Sequence, residues 1–357
     1  MPSLLCRAVS SIVGILQYRL PSPQPSKIFS TMEEPGPSNP SIWYGHILAE
    51  VDITRRLLAS NATFVFGLYL LGLAPRMMTG SANIDRPGVL IAKVLFAALT
   101  TEYIFEICSQ TLSPEEDARN RPSRPIPAGL LSIRGGYIRW IAVWTFSPAA
   151  FLAIGAPTVA LHLTATMAWT FLCYVHPAPP HWFWKNLYTP VALFFLLRIL
   201  NSLVVQHIPN SEMSAHLDSA FCLWLFATIH MQDFHDVEGD RAAGRRTLPI
   251  VLSTLQIRHL RRFTAALTVI AAMLFVGLGV QRCEGSFDLS IGVLASLQFV
   301  GGCATAGRFL LDETAKQGET TYKRFHVPTA LVIVVYLSLV NHAASLISRV
   351  CEASLVI

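Results

Sequence analysis

The chain has 357 residues, of which 52% are hydrophobic and 14% charged, with a formal net charge of +5 and a mean hydropathy of +0.47. An ordinary soluble domain carries roughly 25% charged residues, so the composition points to lipid as the main solvent and excludes a soluble enzyme or a disordered chain. The seven cysteines are scattered without a C-x-x-C pair, which excludes a disulfide scaffold and a zinc finger, and the dispersed positive charge leaves no footprint for nucleic acid.

Residues 1–42 hold no apolar run of span length. Pro and Ser are dense from Pro21 to Pro40, and Arg7 and Arg19 stand in an acid-free stretch, so this segment reads as a disordered tail or an organelle-targeting peptide. Trp43 and Tyr44 suggest an interfacial helix that opens a membrane domain over 43–350, followed by a short tail over 351–357. A helix needs about 20 apolar residues to cross the hydrocarbon core. Nine runs approach that length: Leu57 to Ala74, Val89 to Ser109, Tyr137 to Ile154, Thr158 to Val175, Leu187 to Val205, Leu217 to Gln232, Phe263 to Val280, Leu289 to Arg308 and Val327 to Ile347. The fold class is therefore all-α, a polytopic membrane protein. Most Lys and Arg fall before the first run or after the even-numbered ones, whereas only Arg282 joins the seventh and eighth. Basic loops stay in the cytosol, which places the N-terminus and the loops Gln110 to Gly136 and Asp233 to Arg262 there. The endoplasmic reticulum is the expected membrane, with the mitochondrial inner membrane as alternative.

The second of these loops carries Asp233, Asp236 and Asp240. On a helix they project together while Glu238 turns away. Clustered carboxylates repel unless a cation sits among them, and oxygen-only ligation suits a hard ion such as Mg²⁺ with phosphate oxygens completing its shell. Arg245 and Arg246 follow closely enough to grip those oxygens in forked hydrogen bonds. The first loop runs Glu115-Glu116-Asp117 into Asn120, Arg121 and Arg124, with three prolines stiffening the stretch after Asn120. Two such loops on one side of a bundle make a cation and phosphate cradle.

The segments Asn120 to Gly129 (NRPSRPIPAG) and Asp233 to Pro249, with the span count and loop order over about residues 45 to 350, resemble the UbiA superfamily of intramembrane prenyltransferases and terpene cyclases. The resemblance implies nine helices around a lipid-open cavity, with two Asp-rich motifs at the cytosolic rim binding a prenyl diphosphate through Mg²⁺. It implies metal ligation by Asp233, Asp236 and Asp240. In the first motif Ser109, Gln110 and Ser113 stand where the family's common form has Asn and acids, so Asp117 remains as the ligand with Glu116 as its substitute. Asn120, Arg121, Arg124, Arg245 and Arg246 are the diphosphate-binding candidates. The form Gln-x-x-Ser-x-x-Glu-Asp looks like a fungal branch that includes membrane-bound terpene cyclases of secondary metabolism.

Inside the spans, Glu102, Glu106, Arg198 and Asn201 require a partner or a cavity. A pairing of either glutamate with Arg198 competes with a catalytic role. Phe194, Phe195, Trp224 and Phe226 are candidates to line a pocket. His230 and His235 are proton acceptors or merely solvated, His235 being exposed in its loop. The reading that follows is Mg²⁺-dependent ionisation of a farnesyl- or geranylgeranyl-class diphosphate, ending in intramolecular cyclisation. Transfer to an aromatic or other small acceptor is the alternative, and a membrane transporter a distant one, since the acids cluster on one face rather than at the midplane. The expected partners are the prenyl diphosphate and the bilayer, without nucleic acid or an obligatory protein.

Overall fold

The computed structural model describes residues 40–79, 86–175, 181–208, 211–283 and 289–355. Most of the tail expected over 1–42 lies outside them. The chain divides into two compact units, Met1–Glu50 and Val51–Ile357. Helix α1 spans Pro40–Leu58, and everything that follows belongs to the second unit.

The long helices of the second unit are α2 (Ala62–Thr79), α3 (Pro87–Leu112), α5 (Ile133–Ala153), α6 (Pro157–Thr170, continued by a π turn Phe171–Val175), α7 (Trp182–Val205), α8 (Ala215–Thr228), α11 (Thr254–Arg282), α12 (Leu289–Leu311) and α14 (Val327–Leu355). Four short helices sit between them: α4 (Pro114–Asn120), α9 (Val237–Ala242), α10 (Leu248–Val251) and α13 (Ala315–Thr321). Among the described residues there is no strand, only an isolated bridge between His181 and Arg246. Proline at the first turn starts α3, α4 and α6, where its missing N–H costs nothing. Ser253 and Thr314 open α11 and α13 with reciprocal capping boxes to Gln256 and Gln317.

Each long helix packs on the next in the order α2, α3, α5, α6, α7, α8, α11, α12, α14, and α14 returns to α2, which closes a ring. The expected runs are helical except that the first, Leu57 to Ala74, straddles the break between α1 and α2. Among the described residues, however, only six segments are long and apolar enough to cross a membrane, or up to seven if α1 and α2 count as one broken span. The shortfall has local causes: α8 keeps α geometry for 14 residues before tightening into a 3₁₀ turn, Ile229–Phe234, and α5 is diluted by Arg134, Gly135, Gly136 and Arg139. Helix α14 runs to Leu355, past residue 350 where a tail was expected.

The outer surface is apolar. Ile138, Phe146, Leu161, Leu223, Phe263 and Leu274 are all more than half exposed, as suits a lipid-facing wall. Hydroxyls within helices bond back to carbonyls one turn earlier, as Thr101 does to Ala97, Ser147 to Val143 and Thr170 to Thr166. About 20 Å along α7 from Lys185, a polar cluster ties Met213, just before α8, to the ring. There Arg198 pairs with Asp218 at 3.1 Å and donates to the Met213 carbonyl, while Asn201 accepts from Arg76 and from the Met213 amide. Arg198 therefore does not pair with Glu102 or Glu106, which lie near the other end of the bundle.

Candidate active site

At the end of the ring formed by the C-terminus of α3 and the start of α7, polar loops border one cavity of about 240 Å³. Pro114 cannot continue the hydrogen bonding of α3, so the chain breaks at Ser113 and restarts as α4, which carries Glu116 and Asp117 to the cavity wall. The second acidic loop is not one helix. Asp233 lies within the 3₁₀ turn Ile229–Phe234, Asp236 precedes the first turn of α9, and Asp240 lies within α9, while Glu238 faces out as expected. Gly244, at φ +68°, turns the chain back so that the Arg245 amide donates to the Asp240 carbonyl at 2.8 Å, bringing Arg245 to the cavity wall. The two loops meet where α4 packs on α9, and a side chain at Gly239 would overlap the Asn120 amide.

The charges form an alternating network. Arg124 bridges Asp117 at 2.6 Å and Glu106 at 3.1 Å, and also donates to Ser60. Glu106 further accepts from Asn61 at 2.5 Å and Gln110 at 2.8 Å. Arg245 joins the loops, 2.7 Å from Glu116 and 3.3 Å from Asp240. Lys185, in the first turn of α7, lies 2.9 Å from Asp233 and donates to both oxygens of Asp240 at 2.8 and 2.7 Å. Burial pushes Glu116 and Asp117 above the usual carboxylate range, with Arg245 and Arg124 respectively opposing. Burial likewise lifts Asp233 to about 6 against the pull of Lys185. Burial acts against the Arg245 charge too, but Glu116 and then Asp240 outweigh it and keep the guanidinium charged.

Of the expected site residues, Glu116, Asp117, Asn120, Arg121, Arg124, Asp236 and Arg245 line the cavity. Asp233 and Asp240 stand behind that wall, both at 0% exposure and both on Lys185. Arg246 does not join them: its carbonyl accepts from the Trp182 amide, and its side chain is exposed beside a neighbouring cleft. His235 is not exposed; its ring packs at 5.8 Å on Tyr322, 3.6 Å from Asp236, and burial lowers its basicity. None of Phe194, Phe195, Trp224 and Phe226 lines the cavity, whose aromatic lining is Phe64, Phe105, Tyr174, Tyr188 and Tyr322. Below the charged rim the wall turns apolar through Val65, Leu193, Leu196, Leu225 and Ala330.

The donor set fits a hard cation. It is all oxygen, and Asp117 Oδ2 and Asp233 Oδ2 are buried without a hydrogen bond. Among the described residues no three carboxylates, imidazoles or thiols converge into a ready cage.

Residues 66–327 match the profile of the UbiA prenyltransferase family, well over half of the chain. The chain belongs to that family. Membership makes it a membrane enzyme of prenyl diphosphate chemistry. Among characterised proteins this UbiA-family chain is similar to polyprenyl transferase eriF of Hericium erinaceus, 34% identical over 60% of this chain and 71% of that one. It is also similar to diterpene cyclase eriG of the same organism, 33% identical over 50% of this chain and 58% of the relative. A solved structure of digeranylgeranylglyceryl phosphate synthase shares the fold, with a TM-score of 0.51 over 82% of this chain and 98% of that one at 16% identity.

Proposed function

We propose that this chain ionises a prenyl diphosphate of the farnesyl or geranylgeranyl class, releases pyrophosphate, and lets the allylic cation close on its own double bonds to a cyclic terpene. The observation that carries this reading is the continuity of a single cavity, from cations and carboxylates at the rim to an apolar and aromatic interior. Arg121, Arg245 and Lys185 hold the diphosphate, and Arg124 keeps Asp117 aimed at the cavity. Mg²⁺, held by Asp117 and Asp236 with Glu116 and Asp233 beside them, supplies positive charge to the departing pyrophosphate when bound. Asp240 contributes by fixing Lys185 and Arg245. The faces of Phe105, Tyr174, Tyr188 and Tyr322 stabilise a cation in the apolar part of the cavity. The charged rim faces the cytosol by the distribution of basic loops, with the endoplasmic reticulum as the expected membrane.

Similarity to a diterpene cyclase and the Gln-x-x-Ser-x-x-Glu-Asp form of the first loop support cyclisation. Transfer to an aromatic or other small acceptor is the second reading, favoured by the similarity to a polyprenyl transferase over a larger share of both chains. Purified protein given geranylgeranyl or farnesyl diphosphate separates them. Cyclisation predicts pyrophosphate release without an acceptor, abolished by chelation and restored by Mg²⁺. Release that depends on an added acceptor assigns the chain to transfer.

A further inference from the structure

The cavity holds one basic group that ionisation leaves unused. His326 ends the π turn Tyr322–His326 ahead of α14, lines the cavity and is 1% exposed. Its tautomer follows from its neighbours. Thr228 Oγ1 lies 2.9 Å from His326 Nε2 and donates to the Trp224 carbonyl at 2.9 Å. With its one proton on the Trp224 carbonyl, the hydroxyl accepts from Nε2–H, which is the tautomer this assignment uses. Nδ1 is thus the lone-pair nitrogen, and it is buried without a hydrogen-bond partner. A buried acceptor left without a partner is costly.

The ring is clamped between two aromatic faces, Trp224 at 5.1 Å and 9° and Tyr322 at 5.4 Å and 20°. Such faces offset part of what burial costs a charged ring. Tyr322 also packs at a tilt on His235 near the rim, so His326, one helical turn further on, belongs to the deeper part of the wall with Leu225, Ile229, Val327 and Ala330. A folded isoprenoid chain held by its diphosphate at the rim would present its C–H bonds there.

We propose that His326 is the base that ends the cyclisation. Nδ1 takes a proton from the carbon beside the cationic centre, the C–H electron pair becomes the new C=C bond, and the imidazole becomes imidazolium. The proton passes to water that enters from the rim as pyrophosphate leaves, so one diphosphate yields one cyclic hydrocarbon, one pyrophosphate and one proton. This assignment rests on the cyclase reading. Glu102, whose Oε1 is another orphaned acceptor in the cavity wall and which the metal and diphosphate assignments do not use, provides the comparison.

The test uses membranes carrying the wild type, His326→Phe, Thr228→Val or Glu102→Gln, with Mg²⁺ and geranylgeranyl or farnesyl diphosphate and no acceptor. Pyrophosphate, hydrocarbons and alcohols are quantified. Phenylalanine keeps a ring between Trp224 and Tyr322, so pyrophosphate release stays within about threefold of wild type. The wild-type hydrocarbon formed per pyrophosphate falls about tenfold or more, replaced by alcohols and earlier-deprotonated isomers. Thr228→Val, which frees the tautomer, shifts the products in the same direction by less. An unchanged product profile in His326→Phe overturns the proposal, as does a profile that responds to Glu102→Gln and not to His326→Phe. If His326→Phe loses pyrophosphate release as well, Thr228→Val decides: an altered profile supports the assignment and a wild-type profile overturns it. No acceptor-free release by the wild type refutes cyclisation itself, and the base with it, a signature distinct from release with unchanged products.

Discussion

Lys185 governs the charge of the second acidic loop, because it is the cation that both Asp233 and Asp240 face. Removing one partner of a buried ion pair costs about 3–5 kcal/mol, so Lys185→Met is expected to lose pyrophosphate release and to lower the unfolding temperature in detergent, with Lys185→Arg retaining more of both. In the first loop, Asp117 is buried on Arg124, Glu116 is half-buried on Arg245, and Glu115 is exposed. Asp117→Asn should therefore damage turnover most, Glu116→Gln less, and Glu115→Gln scarcely at all. A ranking led by Glu115 would contradict this geometry. Asp233 gives a pH signature. Its folded value of about 6 exceeds the ordinary 3.8, so between these values the folded chain binds more protons than the unfolded one and ligand-free stability falls as pH rises. Mg²⁺ displaces that proton, so its affinity rises through the same window and levels off above it. Asp233→Asn should abolish the rise, and a thermal-shift titration showing the same slope in the variant would place the titrating group elsewhere.

Helix α4 and helix α9 are each too short to stand alone, and their contact through Asn120 and Gly239 is what makes two loops one site. Gly239→Ala is expected to displace Asn120 and slow pyrophosphate release. The double variant with Asn120→Ala should cost no more than either single change, whereas additive losses would show that Gly239 acts elsewhere. At the opposite end, Asp218→Ala leaves Arg198 without its buried partner, which predicts a lower unfolding temperature with little change in turnover per folded molecule. These elements differ in how far they could be read from sequence. The acids of both loops, the two arginines after Asn120 and Arg245 were legible, because charges between apolar runs stand out against a lipid-facing chain. Lys185 was missed because a lone lysine among Trp182, Phe183 and Trp184 reads as an interfacial anchor. It could have been found as the single cation between the fourth and fifth runs, on the side already assigned to both acidic loops. The chain breaks at Ser113 and after Phe234 turn what reads as continuous helix into short pieces, and that decides which carboxylate meets which cation.

For the whole molecule, hydropathy revealed the helical runs but not how many meet the length for a crossing, because α5 and α8 depart from uniform apolar helix only in local detail. Cavity-lining aromatics were illegible for a related reason. Phe64, Phe105 and Tyr174 differ from Phe194 and Phe195 only in which way the helix faces, and the packing of the long helices against one another sets that. The closed ring places an ion-rich rim and an apolar interior in one enclosure, so diphosphate binding and chain folding are coupled by geometry. Chelation should therefore stop the chemistry without unfolding the ring, since the metal candidates sit in short rim elements rather than in the core. Mg²⁺ should restore activity, and Ca²⁺, with longer bonds and looser coordination, should restore little.

The most direct test of the account is the ratio of cyclic hydrocarbon to pyrophosphate when purified protein turns over geranylgeranyl or farnesyl diphosphate with Mg²⁺ and no acceptor. The account predicts one cyclic product per pyrophosphate, with both lost together in Asp236→Ala. Pyrophosphate released with only linear alcohol as product, or no release until an acceptor is added, would contradict it.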